Sequence, residues 1–146
     1  FGDVWYSADG VTWKRLVSEH LWAARHEHSV YVHNDTLWVV AGNTWPLVND
    51  AWSLRIPGLT FLTQPVVEEY AGAEYTYRAE ADFNASAEPV QYRLTEAPDW
   101  LTVDAHRGFV RGTPPTVGQY KVTLEASDAA GETAQQNYIL HVRPPL

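Results

Sequence analysis

Between residues 75 and 126, apolar and polar side chains alternate over two stretches. Tyr75, Tyr77, Ala79 and Ala81 interleave with Thr76, Arg78, Glu80 and Asp82; Tyr120, Val122, Leu124 and Ala126 interleave with Lys121, Thr123 and Glu125. A period of two puts every second side chain on one face of an extended chain, whereas a helix of 3.6 residues per turn scatters that pattern around its axis. Each stretch therefore predicts a strand with one face inward and one face in water.

The same reading applied to the rest of this half gives about seven strands, near 61–68, 74–82, 90–95, 100–104, 108–111, 118–127 and 134–143. Turn formers separate them at Asn84-Ala-Ser, Ala97-Pro98-Asp99, His106-Arg107-Gly108, Thr113-Pro114-Pro115 and Ala129-Ala130-Gly131. Short strands at this spacing predict a β-sandwich of immunoglobulin type over residues 59–146. The chain has no cysteine, so that sandwich has no inter-sheet disulfide, and thiolate metal sites and cysteine nucleophiles are excluded.

Residues 1–58 have a different texture. Apolar bursts, "DVWYS", "TWKRLV", "SVYVH", "TLWVVAG" and "DAWSLRI", are separated by "ADG", "HNDT" and "GNTWPLVND". That order predicts a strand meander. Leu37 to Ala41 is apolar at five successive positions, so this strand is expected to be covered on both faces. The fold class read from both halves is all-β, consistent with seven tryptophans and eight tyrosines among valine- and threonine-rich runs.

A formal charge of −8 argues against binding nucleic acid through its phosphates, which needs clustered Lys and Arg. No apolar run reaches 18 residues, so no membrane insertion is expected. The absence of methionine, even at position 1, leads us to expect a fragment or a mature product.

The segment "DVWYS" has an echo in "NDAWSL", about 47 residues later, a spacing in the range of propeller-blade repeats. "ARHEHSVYVHNDTLWVVAGN" followed by "NDAWSL" resembles a kelch repeat of galactose-oxidase-type propellers. Arg25, His28, Ser29, Leu37, Trp38, Val39, Val40, Gly42, Asn49, Asp50 and Trp52 match its pattern, and Ala41 departs from it where the first glycine of a pair is usual. The leading "DVWYSADGVTWKRL" then resembles the outer two strands of a preceding blade. A rival resemblance, to the Asp-box turn of sialidase-like propellers, rests on Ser7, Asp9, Thr12 and Trp13 and is one residue short.

The second half, "YTYRAEA" through "YILHV", is similar to the Putative Ig and dystroglycan-type cadherin-like domains of bacterial surface and secreted proteins. The matching residues include Tyr92, Leu94, Pro98, Trp100-Leu101, Asp104, Gly108, Gly112-Thr113-Pro114, Gly118, Tyr120, Ala126, Asp128, Gly131, Gln136 and Val142. The cadherin side of that resemblance implies acidic calcium ligands at a domain end. Asp128 is the first candidate, with Glu125 and Asp104 beside it and Asp99 and Glu132 as further neighbours, since hard cations take oxygen donors. The rest of the cadherin calcium motif is absent.

Other candidates are sparser. His26 and His28 stand two apart, flanked by His20 and His33, which on a strand places the central pair on one face; no third ligand follows at metal-site spacing. Trp22 and Trp45 fall in expected loops and are candidates for stacking on a sugar, while Trp5, Trp13, Trp38, Trp52 and Trp100 sit at framework positions. Asn34-Asp-Thr36 and Asn84-Ala-Ser86 read as glycosylation sequons. Gly-x-Ser-x-Gly, phosphate-loop and dinucleotide signatures are all absent, and no motif marks a carboxylate pair, so no catalytic residue is assigned and no enzyme is expected.

The sequence thus predicts a kelch-like propeller fragment, residues 1–58, joined to an Ig-like/cadherin-like sandwich, residues 59–146. The resemblances imply a non-catalytic adhesive, ligand-binding or spacer region of a larger surface or secreted protein. Its expected location is extracellular, with the periplasm as an alternative. The alternative function is an accessory region of a carbohydrate-active or oxidase-type propeller enzyme whose active site lies upstream. Expected partners are upstream blades or other copies of the chain over the first meander, and a carbohydrate or protein ligand on loops such as 83–89, 96–99 and 128–133.

Overall fold

A computed structural model describes residues 2–145 and contains, among them, strands and no helix. The chain divides into two compact units, Phe1–Pro57 and Gly58–Leu146.

In the first unit, β1 (Trp5–Tyr6) and β2 (Lys14–Arg15) form a short antiparallel hairpin. Three longer strands, β3 (Ser29–His33), β4 (Thr36–Asn43) and β5 (Leu47–Leu54), make an antiparallel sheet in sequence order. Asn34 and Asp35, both at positive φ (49° and 56°), join β3 to β4, the geometry a two-residue hairpin demands and Asn and Asp tolerate. The Asn34 sequon is thereby explained by its turn.

Cross-strand register sorts the side chains of this sheet. Val30 faces Val39, which faces Trp52, and Val32 faces Leu37, which faces Leu54, so one face is apolar throughout. On the opposite face Tyr31 pairs with Trp38, their rings stacked with centroids 6.3 Å apart. The expectation that Leu37–Ala41 is covered on both faces is met only at Val39, which is buried; Leu37, Trp38 and Val40 stay half-exposed and Val32 is 71% exposed. Three strands have too little mass to cover both sides of their own middle strand.

The second unit opens with β6 (Thr60–Phe61), followed by β7 (Glu68–Tyr70), β8 (Tyr75–Arg78), β9 (Ala81–Asp82), β10 (Gln91–Glu96), β11 (Leu101–Val103), β12 (Phe109–Gly112), β13 (Gly118–Ser127) and β14 (Thr133–Arg143). A four-stranded sheet has the order β10-β13-β14-β7, and a three-stranded sheet the order β11-β12-β8. Both sheets are open, and together they supply one core that includes Tyr75, Tyr77, Leu101 and Val110 from one and Tyr92, Val122, Leu124 and Leu140 from the other. Complete burial of a leucine contributes about 1.5–3 kcal/mol, so Leu124 and Leu140, both inaccessible, are central to the unit's stability.

Two expected strands are broken. The span 61–68 becomes β6, an irregular stretch and β7, because Pro65 lacks an N–H for any ladder and the chain passes from pairing with β9 to parallel pairing with β14. The span 74–82 becomes β8, paired with β12, and β9, paired with β6. Between them Ala79 donates its N–H to the Gly108 carbonyl.

Glycine is obligatory at the two places where the sheet backbones crowd. A Cβ at Gly112 would lie 2.1 Å from the Trp100 carbonyl oxygen, and one at Gly108 would lie 2.3 Å from that of Ala79. Trp100 in turn packs edge-on against Tyr120, centroid to centroid 5.3 Å.

Candidate functional site

The three acidic calcium candidates are each committed to internal donors. Asp128, buried, accepts hydrogen bonds from the N–H groups of Ala130 (3.0 Å) and Glu132 (2.9 Å) through Oδ1 and from Ala85 (2.9 Å) through Oδ2. It thereby closes its own turn and ties it to the loop that follows β9. Glu125 lies on the outer face of β13 between Arg93 and Gln135, its register neighbours. It accepts from Arg93 Nε at 2.7 Å and from Gln135 Nε2 at 3.1 Å, and these bonds hold its carboxyl below the ordinary carboxylate range. Asp104 accepts from the N–H groups of Arg107 and His106, both at 3.0 Å, which lower its pKa in the same way. Asp99 has no part in these bonds, and Glu132 Oε2 accepts instead from Leu59 N–H at 3.3 Å. Among the described residues no three His, Cys, Asp or Glu side chains are grouped to hold a metal ion.

Of the loops picked from sequence, 83–89 and 128–133 are joined by the Asp128 to Ala85 bond. The second sequon lies in this region with its asparagine turned inward: Asn84 is buried and its amide nitrogen donates to the carbonyls of Ser86 and Glu88.

The histidine pair is not presented as expected. Glu27, at φ 59°, leaves the extended conformation between His26 and His28, so the alternation that would put both rings on one face fails there. His26 instead makes an isolated backbone bridge to Asn43.

Sequence reasoning missed the ion pair at the centre of the first unit. Arg25 Nη1 and Nη2 donate to Asp50 Oδ1 and Oδ2 at 2.6 and 3.0 Å, Nη1 also reaches the Ala41 carbonyl at 3.0 Å, and Trp52 Nε1 donates to Asp50 Oδ2 at 2.8 Å. The guanidinium side chain is only 2% exposed. Between Val40 and Gly42 the register with β5 slips, so Asn49 and Asp50 together oppose Ala41 alone; this bulge redirects Asp50 toward Arg25. The Arg25 hydrogen bonds, with that of Trp52 second, lower the Asp50 pKa to about 2. The sequence marked all three residues, but not their mutual contact.

At the tip of the first hairpin, Asp9 Oδ1 accepts from Thr12 N–H (2.7 Å), Val11 N–H (2.8 Å) and Ser7 Oγ (2.9 Å), while Ser7 Oγ accepts from Gly10 N–H (2.9 Å). These bonds hold the Asp9 carboxyl well below the usual range. The arrangement stabilises a turn.

The two tryptophan candidates differ. Trp22 is half-buried in an irregular segment. Trp45 is 83% exposed on the β4–β5 loop at φ 51°, preceding a cis proline, and is held by its N–H donating to Asn43 Oδ1 at 2.9 Å. Next to it a concavity of about 220 Å³ is lined by Ala24, Arg25, His26, Asn43, Thr44 and Trp45.

A third polar constellation braces the sandwich. Tyr75 Oη donates to the Val66 carbonyl at 2.8 Å and lies 3.2 Å from Tyr138 Oη; Tyr77 Oη donates to Gln136 Oε1 at 2.9 Å and lies 2.8 Å from Thr63 Oγ1. Burial raises the pKa values of Tyr75 and Tyr138, so both stay neutral hydrogen-bonding groups. Inward-facing tyrosines at period two are the signal for this network, because a buried hydroxyl requires a partner.

Comparison with solved structures finds a putative alpha-galactosidase/melibiase from Bacteroides fragilis (22% identity, TM-score 0.50, 58% of this chain and 17% of that chain). A second putative alpha-galactosidase from the same organism matches at 18% identity and TM-score 0.51, over 62% of this chain and 19% of that chain. The Streptococcus sanguinis SrpA adhesin matches at 21% identity and TM-score 0.41, over 62% of this chain and 58% of that one. The chain spans less than a fifth of either galactosidase, and at these identities the likeness is one of fold. No curated protein matches significantly by sequence. Residues 58–143 match the family described as Putative Ig domain, and the chain belongs to that family.

Proposed function

We propose that the chain is a non-catalytic extracellular region of a larger secreted or surface protein, its Ig-like sandwich serving as a rigid spacer or ligand-binding module. The observation that carries this reading is how the sandwich spends its polar groups. Asp128, Glu125, Asp104, Tyr75 and Tyr77 are all engaged in bracing it, so their chemistry is structural. Residues 1–58 are the end of a kelch-like propeller in this reading, supported by the Arg25–Asp50–Trp52 cluster formed from residues of the blade pattern. Propellers carry about four to eight blades; further blades, or other copies of the chain, cover the apolar faces of β3–β4–β5.

A second reading is favoured by one observation. Two fold neighbours are described as putative alpha-galactosidases of which this chain matches only a small part. The chain would then be an accessory region of a carbohydrate-active enzyme with its active site elsewhere. Light scattering and a galactoside hydrolysis assay on the full chain test the proposal: self-association without turnover is expected. Turnover would overturn the non-catalytic assignment, and a clean monomer with an ordered first unit would overturn the propeller assignment.

A further inference from the structure

We infer that Trp45, with Asn43 and His26, forms a binding subsite for a neutral pyranose. This deepens the ligand-binding part of the function proposed above, but rests on the first unit alone. Trp45 is among the most exposed large apolar side chains of the molecule, and its backbone lies at φ 51°, a conformation that a non-glycine residue keeps only where its surroundings impose it. They do impose it. Trp45 N–H donates to Asn43 Oδ1 at 2.9 Å, Thr44 Oγ1 donates to the Pro46 carbonyl at 2.9 Å, and Thr44 N–H donates to that same oxygen at 3.1 Å. The loop therefore fixes the backbone from which a bare indole projects, so the position of its Cβ needs no further ordering on binding.

The rim of the adjoining concavity decides what the indole can receive. Arg25 is part of its lining but is already neutralised by a bidentate bond to Asp50, so the pocket offers an anion no unpaired guanidinium. The chain's charge of −8 opposes an anion as well. Asn43 uses its carbonyl oxygen for the turn and keeps two amide N–H donors, while the His26 side chain is 55% exposed, has Nδ1 3.7 Å from the Glu27 carboxylate and offers Nε2. An apolar ring face beside a few donors and acceptors, with the Glu27 carboxylate next to His26 as a further acceptor, complements a sugar ring, which has C–H groups on one face and hydroxyls around its edge. The free volume of about 220 Å³ is enough for one ring, and the concavity is open to solvent.

The test is an NMR titration of the full chain, with ¹⁵N-labelled tryptophan, against cellohexaose, mannohexaose and a β-1,4-galactohexaose, and against choline. The Trp45 indole resonance is assigned by its loss in Trp45→Phe. One or more of the hexaoses is expected to shift that resonance with millimolar affinity, Trp45→Ala to weaken binding at least about tenfold, and His26→Ala to weaken it several-fold. Trp13→Ala serves as control and is expected to bind as the parent does. Unchanged Trp52 and Trp100 indole resonances show that each variant remains folded. No shift with any of the sugars, a shift with choline alone, or equal loss in Trp13→Ala would overturn the inference. None of these outcomes bears on self-association or turnover, so the spacer reading stands or falls separately.

Discussion

The two units solve the burial problem to different degrees. In the second, fourteen hydrophobic residues form one buried cluster and the tyrosine hydroxyls that enter it find partners there. In the first, Val39 is the buried hydrophobic residue among those described, while Val17, Val32, Trp45 and Leu47 are each at least 71% exposed. The difference follows from pattern rather than from apolar content. Strands that alternate need one partner sheet, and the second unit has it. A strand apolar on both faces needs two, and β3–β4–β5 supplies neither.

The sharpest way to break this contrast is to disturb the closest approach in each unit. Gly112→Ala places a Cβ 2.1 Å from the Trp100 carbonyl oxygen and 2.9 Å from Trp100 Cε3, between backbones that cannot separate without opening the core. A loss of at least about 3 kcal/mol is expected, read from urea unfolding of the sandwich. Gly42→Ala in the first unit meets the His26 carbonyl oxygen and His28 Cβ at 3.0 Å from a backbone at φ 114°. There a loss of about 1–2 kcal/mol is expected, because the His26–His28 segment is exposed and can give. Equal losses at the two glycines would mean that the first unit is as tightly closed as the second.

A smaller change, of opposite sign, is expected at Ala41. It occupies the left-handed region at φ 55°, opposite the β5 bulge, in the position where the kelch pattern has a glycine. The left-handed conformation costs alanine about 1–2 kcal/mol, part of which glycine returns as unfolded-state entropy. Ala41→Gly is therefore expected to stabilise the first unit by about 0.5–1 kcal/mol, seen as slower amide exchange in β4 and β5. A destabilised variant would show that the Ala41 methyl packs against something more valuable than the strain it causes.

Legibility followed the same divide. Period two in Tyr75–Asp82 and Tyr120–Ala126 identified inward faces that the core then used, since alternation reports directly on which side meets a sheet. Strand continuity was not legible at 61–68 and 74–82, where the chain changes partners and composition hardly changes. What the acidic residues bond to was not legible for a related reason. Asp128 stands in a turn where a carboxylate can bind either a cation or backbone N–H groups, and only three-dimensional structure shows that three N–H groups have it. The Arg25–Asp50 pair spans 25 residues and depends on a bulge, which no local pattern encodes.

That pair also gives the two units different responses to acid at an identifiable point. Asp50 has a pKa of about 2 in the folded chain against an ordinary 3.8, so its native form is stabilised by ionisation. The contribution is fully present above about pH 4 and fades as pH falls through 3.8 toward 2, because the unfolded chain takes up the proton first. Protection factors of the β4 and β5 amides around Ala41 and Ala51 should fall across that window. In Asp50→Asn the same amides should be less protected near neutrality and show a reduced step on acidification, since Arg25 has then lost its charged acceptor at every pH. Amides of β13 beside Glu125 provide the internal comparison: the carboxyl there is also held low, by Arg93 and then Gln135, so their own acid step should be unaffected by the Asp50 change. A first-unit step that persists at full size in Asp50→Asn would assign the acid sensitivity to Asp9, whose carboxyl is held low by the Thr12 and Val11 N–H groups and Ser7, or to Asp3, held low by the Trp5 indole N–H, and would remove Asp50 from the account.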